Sequence, residues 1–432
     1  MTLRIAWASP WNTRSAIATF GLGVTAALVE AGHHVDILRT EVAESLDLPT
    51  LPSGLSVQPI ADVPPHRIPL LYDALILNLG DHFGYHGAAL PYLPAMNACV
   101  VFHDAYLANF CAGWASTFPG PDAAQQAMVR SAYGPEAISA GAPYWLDPAE
   151  MMRSRPMIEL FARDALGAVV HADHYRGRVQ AACPGPVATI PLSFADLGVA
   201  VPGPAGSTFT VATIGHVNPN KQVGQVIAAL GASPILRERC TYLVIGPIEP
   251  AERERLEADM RIHGVPAVEF TGWLDDDALR ARLARVDAIC CLRNPILEGG
   301  SASVIVAMLS GRPVLVSDHG VYAELPADVV LKCTPGAEAA DVRRHLEGVL
   351  VDPAAALALG ARARAYAQRR HGPAHYARQL LDLVQQAQSG APALRTAMQF
   401  GQVLASIGLS PSHPGAAAVA TVLQQMRGAP AR

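Results

Sequence analysis

The sequence predicts an α/β protein of two doubly wound domains, each with a parallel sheet, followed by helices. Three observations point there. Short apolar runs recur, such as 3–8 (LRIAWA), 75–79 (LILNL) and 98–102 (ACVVF). Near-continuous apolar strands of this kind are buried on both faces, as in parallel sheets. Stretches with apolar residues at helical spacing alternate with them, as βαβ units require. Finally, residues 193–208 are rich in Gly, Pro and Ala, and a fresh strand-and-helix series begins at Phe209. That stretch reads as a linker.

The first βα unit is a strand at 3–8, a loop S-P-W-N-T-R-S-A-I-A, and a helix over 17–31. Gly32 is placed to end that helix as its C-terminal cap. Further strands are expected at 35–38, 75–79, 98–102 and 167–171. The second series predicts strands at 209–214, 241–246, 268–272, 288–292, 313–316 and 329–331. Its helices are expected at 222–230, 251–263, 276–286 and 303–310. Beyond Asp352 the chain turns Ala-, Arg- and Leu-rich, and helices are expected at 353–370, 374–388, 393–407 and 416–426. The domain boundaries read as 1–200, 208–365 and 366–432, the last group packing back on the first domain. A chain of 432 residues fits this count, because single cores stop growing near about 250–300 residues.

Composition narrows the function. Hydrophobic residues are 51% and charged residues 16%, which excludes intrinsic disorder. The net charge of −5 argues against nucleic acid, and any phosphate site must be local. The seven cysteines are an odd number without a C-x-x-C pair, which suits free buried thiols in a reducing compartment. The N-terminal apolar run is too short for a signal peptide. No stretch reaches the ~18 apolar residues of a membrane span. A cytoplasmic location is expected, with peripheral contact at the inner membrane face open.

Parallel sheets bind ligands in the loops at strand carboxyl ends, where helix N-termini offer unpaired N–H groups. Two such loops stand out. In I-G-H-V-N-P-N-K (214–221), a glycine turn and one ammonium make an anion site; an ordinary turn with a surface lysine is the plain alternative. In R-N-P-I-L-E-G-G-S-A-S (293–303), small residues leave backbone N–H groups open to a diphosphate. Glu298 would repel phosphate, but fits beside it if it holds sugar hydroxyls.

These segments resemble the retaining family-four glycosyltransferases. G-H-V-N-P-N-K is similar to their G-R-x-x-x-x-K loop. L-E-G-G-S-A-S-V-I-V-A-M-L-S-G-R-P-V-L-V-S resembles their E-x(7)-E segment and the strand after it. V-E-F-T-G-W-L-D-D-D resembles the strand and loop before it. In the first half, S-P-W-N-T-R-S-A-I-A-T-F looks like the entry loop, and N-L-G-D-H-F-G-Y-H with V-V-F-H-D-A-Y-L looks like a paired motif of a bacterial branch. The resemblance covers roughly 1–385. It implies a GT-B architecture, two Rossmann-like domains facing a cleft.

It also implies residue roles. Lys221 would hold the phosphates of a UDP- or GDP-linked sugar, and Glu298 the sugar hydroxyls. His216, Asn218, Trp273, Gly299, Gly300, Ser301 and Ser303 would complete the donor site. His103 would approach the reacting sugar from the first domain, and Arg14, Asp81, His82 and His171 would line the acceptor side. The acceptor would be a glycan, a lipid-linked molecule or a protein. An ammonium and aligned amides can stabilise a leaving diphosphate without a metal, and no cofactor is implied.

Two positions depart from the pattern. His216 stands where the family usually carries Arg. Val306 stands where the second glutamate of E-x(7)-E, a ribose ligand, should fall. Two other functions therefore stay open: a nucleotide-sugar epimerase on the same fold, and a non-catalytic scaffold. Among the remaining candidates, His82 and His86 have an i, i+4 zinc spacing but no third ligand nearby. Asp275–Asp277 reads as a helix cap, and Gly21-x-Gly23 lies within a helix.

Overall fold

The computed structural model describes residues 2–408, apart from Arg14 and residues 42–50, 52–53, 95–97, 139–142 and 201–208. Arg14 and the expected helix 416–426 lie outside the described residues. The chain divides into two units, Met1–Ile190 with Tyr376–Arg432, and Pro191–His375.

The first unit is built on seven strands: β1 (Arg4–Ser9), β2 (His34–Arg39), β3 (Ser56–Pro59), β4 (Ala74–Leu79), β5 (Ala98–Phe102), β6 (Gly167–Val170) and β7 (Val187–Thr189). All pair in parallel in the order β3-β2-β1-β4-β5-β6-β7. Strand order reverses between β1 and β4, the position where such sheets bind ligands. The central strands are apolar because helices cover both faces: β4 and β5 are buried at every position. The edge strands β3 and β7 were not expected. Both are short and only partly buried, so neither has the apolar run that marks a central strand.

A helix over Ala16–Glu30 follows β1. Ser15 caps it, accepting from the Ala18 N–H at 3.3 Å. Two helices were expected over 374–407; a single one, Pro373–Ser406, runs through Pro392. A proline inside a helix costs about 3 kcal/mol. Here a buried stripe of Tyr376, Leu380, Leu383, Ala387, Ala391 and Leu394 crosses that position at helical spacing. Each large apolar side chain so buried contributes about 1.5–3 kcal/mol, enough to outweigh one lost turn. Tyr376 meets Phe20 edge-on at 4.9 Å, and Gln388 Nε2 donates to the Asp73 carbonyl at 2.7 Å.

The second unit has six parallel strands: β8 (Phe209–Ile214), β9 (Cys240–Ile245), β10 (Val268–Gly272), β11 (Ala288–Cys291), β12 (Val314–Ser317) and β13 (Leu331–Cys333). Their order is β10-β9-β8-β11-β12-β13, so the reversal lies between β8 and β11. Under it, buried Tyr242 and Thr213 share a hydrogen bond of 2.8 Å, and Thr213 donates on to the Cys290 carbonyl at 3.0 Å. The helix expected at 222 begins at Val223, after a tight turn over Pro219–Lys221 and a left-handed Gln222. The seven cysteines are buried free thiols. No helix among the described residues is long and apolar enough to cross a membrane.

Candidate active site

At the β8–β11 reversal the second unit gathers charge. Gly215 follows β8 with φ +99°, and a Cβ there would stand 2.7 Å from Lys221 Nζ and 3.1 Å from Ser303 Oγ. The ammonium and the Ser303 hydroxyl both donate to the Ile214 carbonyl, the latter at 3.1 Å. Lys221 is only 4% exposed. Burial pushes its pKa down to about 7, Arg293 adds to the fall, and Cys291 and Glu298 oppose it. Burial thus disfavours the ammonium, and an anion placed beside it would favour it again.

Ser303 belongs to the helix Ala302–Leu309, whose cap Ser301 accepts from the Val304 N–H at 3.4 Å. The first-turn N–H groups have no partner within the helix and carry its positive end. Gly299 is buried and Gly300 half-buried just before them. The first turn of this helix therefore lies beside Lys221, a constellation suited to a diphosphate.

Glu298 is a few positions earlier. Its Oε1 accepts from Arg293 Nε at 2.8 Å and from the Tyr322 hydroxyl at 2.6 Å. Burial pulls its pKa up; Arg293, the Tyr322 hydrogen bond and Lys221 together bring it below the ordinary carboxylate value. It is therefore a fixed anion, electrostatically coupled to Lys221. Arg293 and Tyr322 were missed in the sequence. Arg293 directly follows β11, a position that could have flagged it. Tyr322 sits in a turn after β12, 24 residues beyond Glu298, and only the sheet order brings it there.

His216 is exposed beside Gly215. The amide oxygens of Asn218 and Asn220 are buried without a hydrogen-bond partner, so both await a donor. Trp273 is 63% exposed, just past β10. That strand lies two from β8, an offset of about 10 Å.

Gly246, at the end of β9, holds these loops together. It adopts φ +139°, and a Cβ there would lie 2.3 Å from the Gly215 carbonyl oxygen. Gly246→Ala is expected to cost about 2–4 kcal/mol in denaturant unfolding. Gly264→Ala, also at positive φ but with open space around it, should cost only about 1 kcal/mol. Equal losses would show that the close approach is unimportant.

In the first unit, the carboxyl ends of β4, β5 and β6 carry a buried row of polar groups. Asn78 Nδ2 donates to the Ala8 carbonyl at 3.1 Å, and Oδ1 lies 3.0 Å from His103 Nε2. His103 Nδ1 is 3.2 Å from His171 Nε2, and His171 Nδ1 is 2.9 Å from the Ile190 carbonyl. The carbonyl requires the His171 proton on Nδ1, so Nε2 accepts from His103. With both rings neutral, the His103–Asn78 contact has no hydrogen. Turning the Asn78 amide only moves the mismatch to Ala8. The row is one hydrogen short, while burial, His171 and His86 hold the His103 pKa well below the ordinary histidine value.

His86 and His82 do not converge. His86 Nδ1 donates to the Asn78 carbonyl at 3.0 Å from a fully buried position, and burial pushes its pKa down to about 3. His82 lies against the Tyr85 ring at 4.5 Å. Asp81 accepts from the Phe110 N–H at 2.8 Å and from Asn109 Nδ2 at 2.7 Å. It thus ties down the start of the helix Ala108–Ala115, with its pKa raised by burial and then by Asp104. His103 and His171 are brought together in the first unit, and Lys221, Glu298, Ser301 and Ser303 in the second.

Residues 200–367 match the family of glycosyl transferases group 1. No curated protein matches the chain. Solved structures of similar fold include HepE of Anabaena in complex with UDP and glucose, at 15% identity and TM-score 0.58, covering 89% of this chain and 99% of that one. Another is sucrose-phosphate synthase of Thermosynechococcus elongatus, at 18% identity and TM-score 0.59, covering 89% and 98%. A third is WaaG, a glycosyltransferase involved in lipopolysaccharide biosynthesis, at 15% identity and TM-score 0.57, covering 90% and 98%. The group 1 match thus falls on the unit that holds Lys221 and Glu298, and the two parallel-sheet units of the chain share the GT-B fold of these structures.

Proposed function

We propose that the chain moves a hexose from a nucleotide diphosphate sugar to an acceptor hydroxyl, with retention at the anomeric carbon. The observation that carries this is the meeting of Lys221, Ser303 and the N-terminus of helix Ala302–Leu309 at Gly215, beside the fixed anion Glu298. Lys221 and the helix N–H groups would neutralise charge on the departing diphosphate as the sugar gains oxocarbenium character. Gly299, Gly300 and Ser301 would line that phosphate path. Glu298, kept ionised by Arg293 and Tyr322, would accept from sugar hydroxyls. The unpartnered oxygen of Asn218 fits a sugar or ribose hydroxyl, and would supply one contact missing at Val306. His216 and Trp273, both exposed beside these loops, would contact the nucleotide. His103, in contact with His171, is the first unit's proposed contribution to the chemistry, and Asp81 and His82 would serve the acceptor side. No residue is placed as a separate base, so the leaving phosphate would take the acceptor proton. UDP is the first nucleotide to test, because HepE was crystallised with UDP and glucose. A role in glycan or glycoconjugate synthesis follows from this reading.

Calorimetric titration with UDP, GDP and their glucose conjugates tests the proposal, followed by NMR of the anomeric proton with candidate acceptors. Nucleotide binding and an axial product from an axial donor are expected. Absence of affinity for every nucleotide would leave a non-catalytic scaffold. Turnover of the donor without acceptor to an epimeric sugar nucleotide would leave an epimerase.

A further inference from the structure

At the amino ends of β8, β11 and β12, opposite the site above, the second unit holds a cavity of about 190 Å³. Its wall combines Phe209, Val349 and Leu357 with three charged residues, Arg239, Asp287 and Arg312. Arg312 is only 5% exposed. One arm is used: Nη2 donates to the Ala284 carbonyl at 2.7 Å. Its Nε is buried with no partner. Asp287 accepts from the Thr210 N–H at 2.7 Å and its charge offsets only part of what burial costs the Arg312 cation. A buried guanidinium with an unused N–H is costly unless something completes it. Arg239 adds a second positive charge at the exposed rim.

We propose that this cavity is a binding site for a small organic monoanion, a carboxylate with a compact apolar body, anchored on Arg312. A carboxylate meets the planar guanidinium fork, and the apolar wall takes the body. A cavity of roughly 150 Å³ holds a benzene ring, so this one suits an aryl or branched alkyl carboxylate. The nearby Asp287 disfavours a dianion by like-charge repulsion, which selects a carboxylate over a phosphate monoester. Arg312 lies just past the C-terminal end of helix Ala302–Leu309, whose other end meets Lys221. The inference does not depend on the transfer reaction, since no residue of the cavity belongs to the proposed donor site.

The test is saturation-transfer NMR on the full chain, with benzoate as the probe. Benzamide serves as the neutral control, and inorganic phosphate is added as a competitor whose binding is read from loss of the benzoate signal. Saturation transfer to benzoate and not to benzamide is expected. R312Q should weaken benzoate binding roughly tenfold or more. L357W, which fills the cavity and leaves Arg312 in place, should abolish it and keeps the test valid if R312Q fails to fold. K221M should leave benzoate binding unchanged. No binding, equal binding of benzamide, tighter binding of phosphate, or binding lost in K221M but kept in L357W would each overturn the proposal.

Discussion

Lys221→Met is expected to stabilise the second unit while removing donor binding. The lysine is buried and its pKa lies near 7, far below the ordinary value of about 10.4. A depressed lysine pKa means that the folded state disfavours the ammonium. At neutral pH this costs the fold several kcal/mol, and the Ile214 hydrogen bond returns only part of it. The methionine should therefore raise stability by about 1–3 kcal/mol. On the proposed reaction, loss of this cation should lower kcat/KM on the order of a thousandfold. The same linkage predicts a pH profile. A nucleotide sugar carries no group that titrates just above neutrality, so only the protein changes charge there. Binding requires the ammonium, which the empty site loses above its pKa. Affinity should then fall about tenfold per pH unit above about pH 7, and K221M should abolish that slope. A lysine that merely braces the loop would give the reverse stability change and no slope.

The second large effect is acid sensitivity built into buried histidines. His86 in the first unit is pushed down to about 3, and His371 in the second to about 4, both by burial. His371 Nδ1 donates to the Leu192 carbonyl at 2.7 Å. Each is neutral in the fold but titrates near about 6.5 when unfolded. Below that value the unfolded chain binds more protons, so stability is fully present above it and is lost as pH falls. Between neutrality and about pH 5, each histidine should withdraw about 2 kcal/mol. Asp81 acts in the opposite direction, because its raised pKa makes the fold take up a proton as pH falls. The effect is therefore read as a difference between variants. Urea unfolding at about pH 7 and pH 5 should show an acid loss about 2 kcal/mol smaller in His86→Met than in the parent, and similarly for His371→Met. Identical acid losses in parent and variants would mean that these rings are not buried neutral.

Legibility tracked how local each feature is. Central strands such as β5, β8 and β11 match the sequence reading because two covering layers force continuous apolar runs. The edges β3 and β7 escaped it because one side faces little. The break expected near Pro392 did not occur, since packing of distant residues outweighed a local helix penalty. Lys221, Glu298 and the Ser301–Ser303 turn stand out in the sequence because each follows closely on its own strand end, and the structure brings Lys221 and Ser303 together at Gly215. Arg293 and Tyr322 gained meaning only from their contact with Glu298.

The sequence by itself determined two parallel-sheet domains and the glycine-bearing loops at their strand ends, because burial and backbone geometry act over a few residues. Only the tertiary structure decided which charges face one another. It set His103 on His171, 68 positions apart, through the pairing of β5 with β6. It also buried Lys221 deeply enough to move its proton. Both outcomes depend on strand order and desolvation, quantities that no short stretch of chain contains.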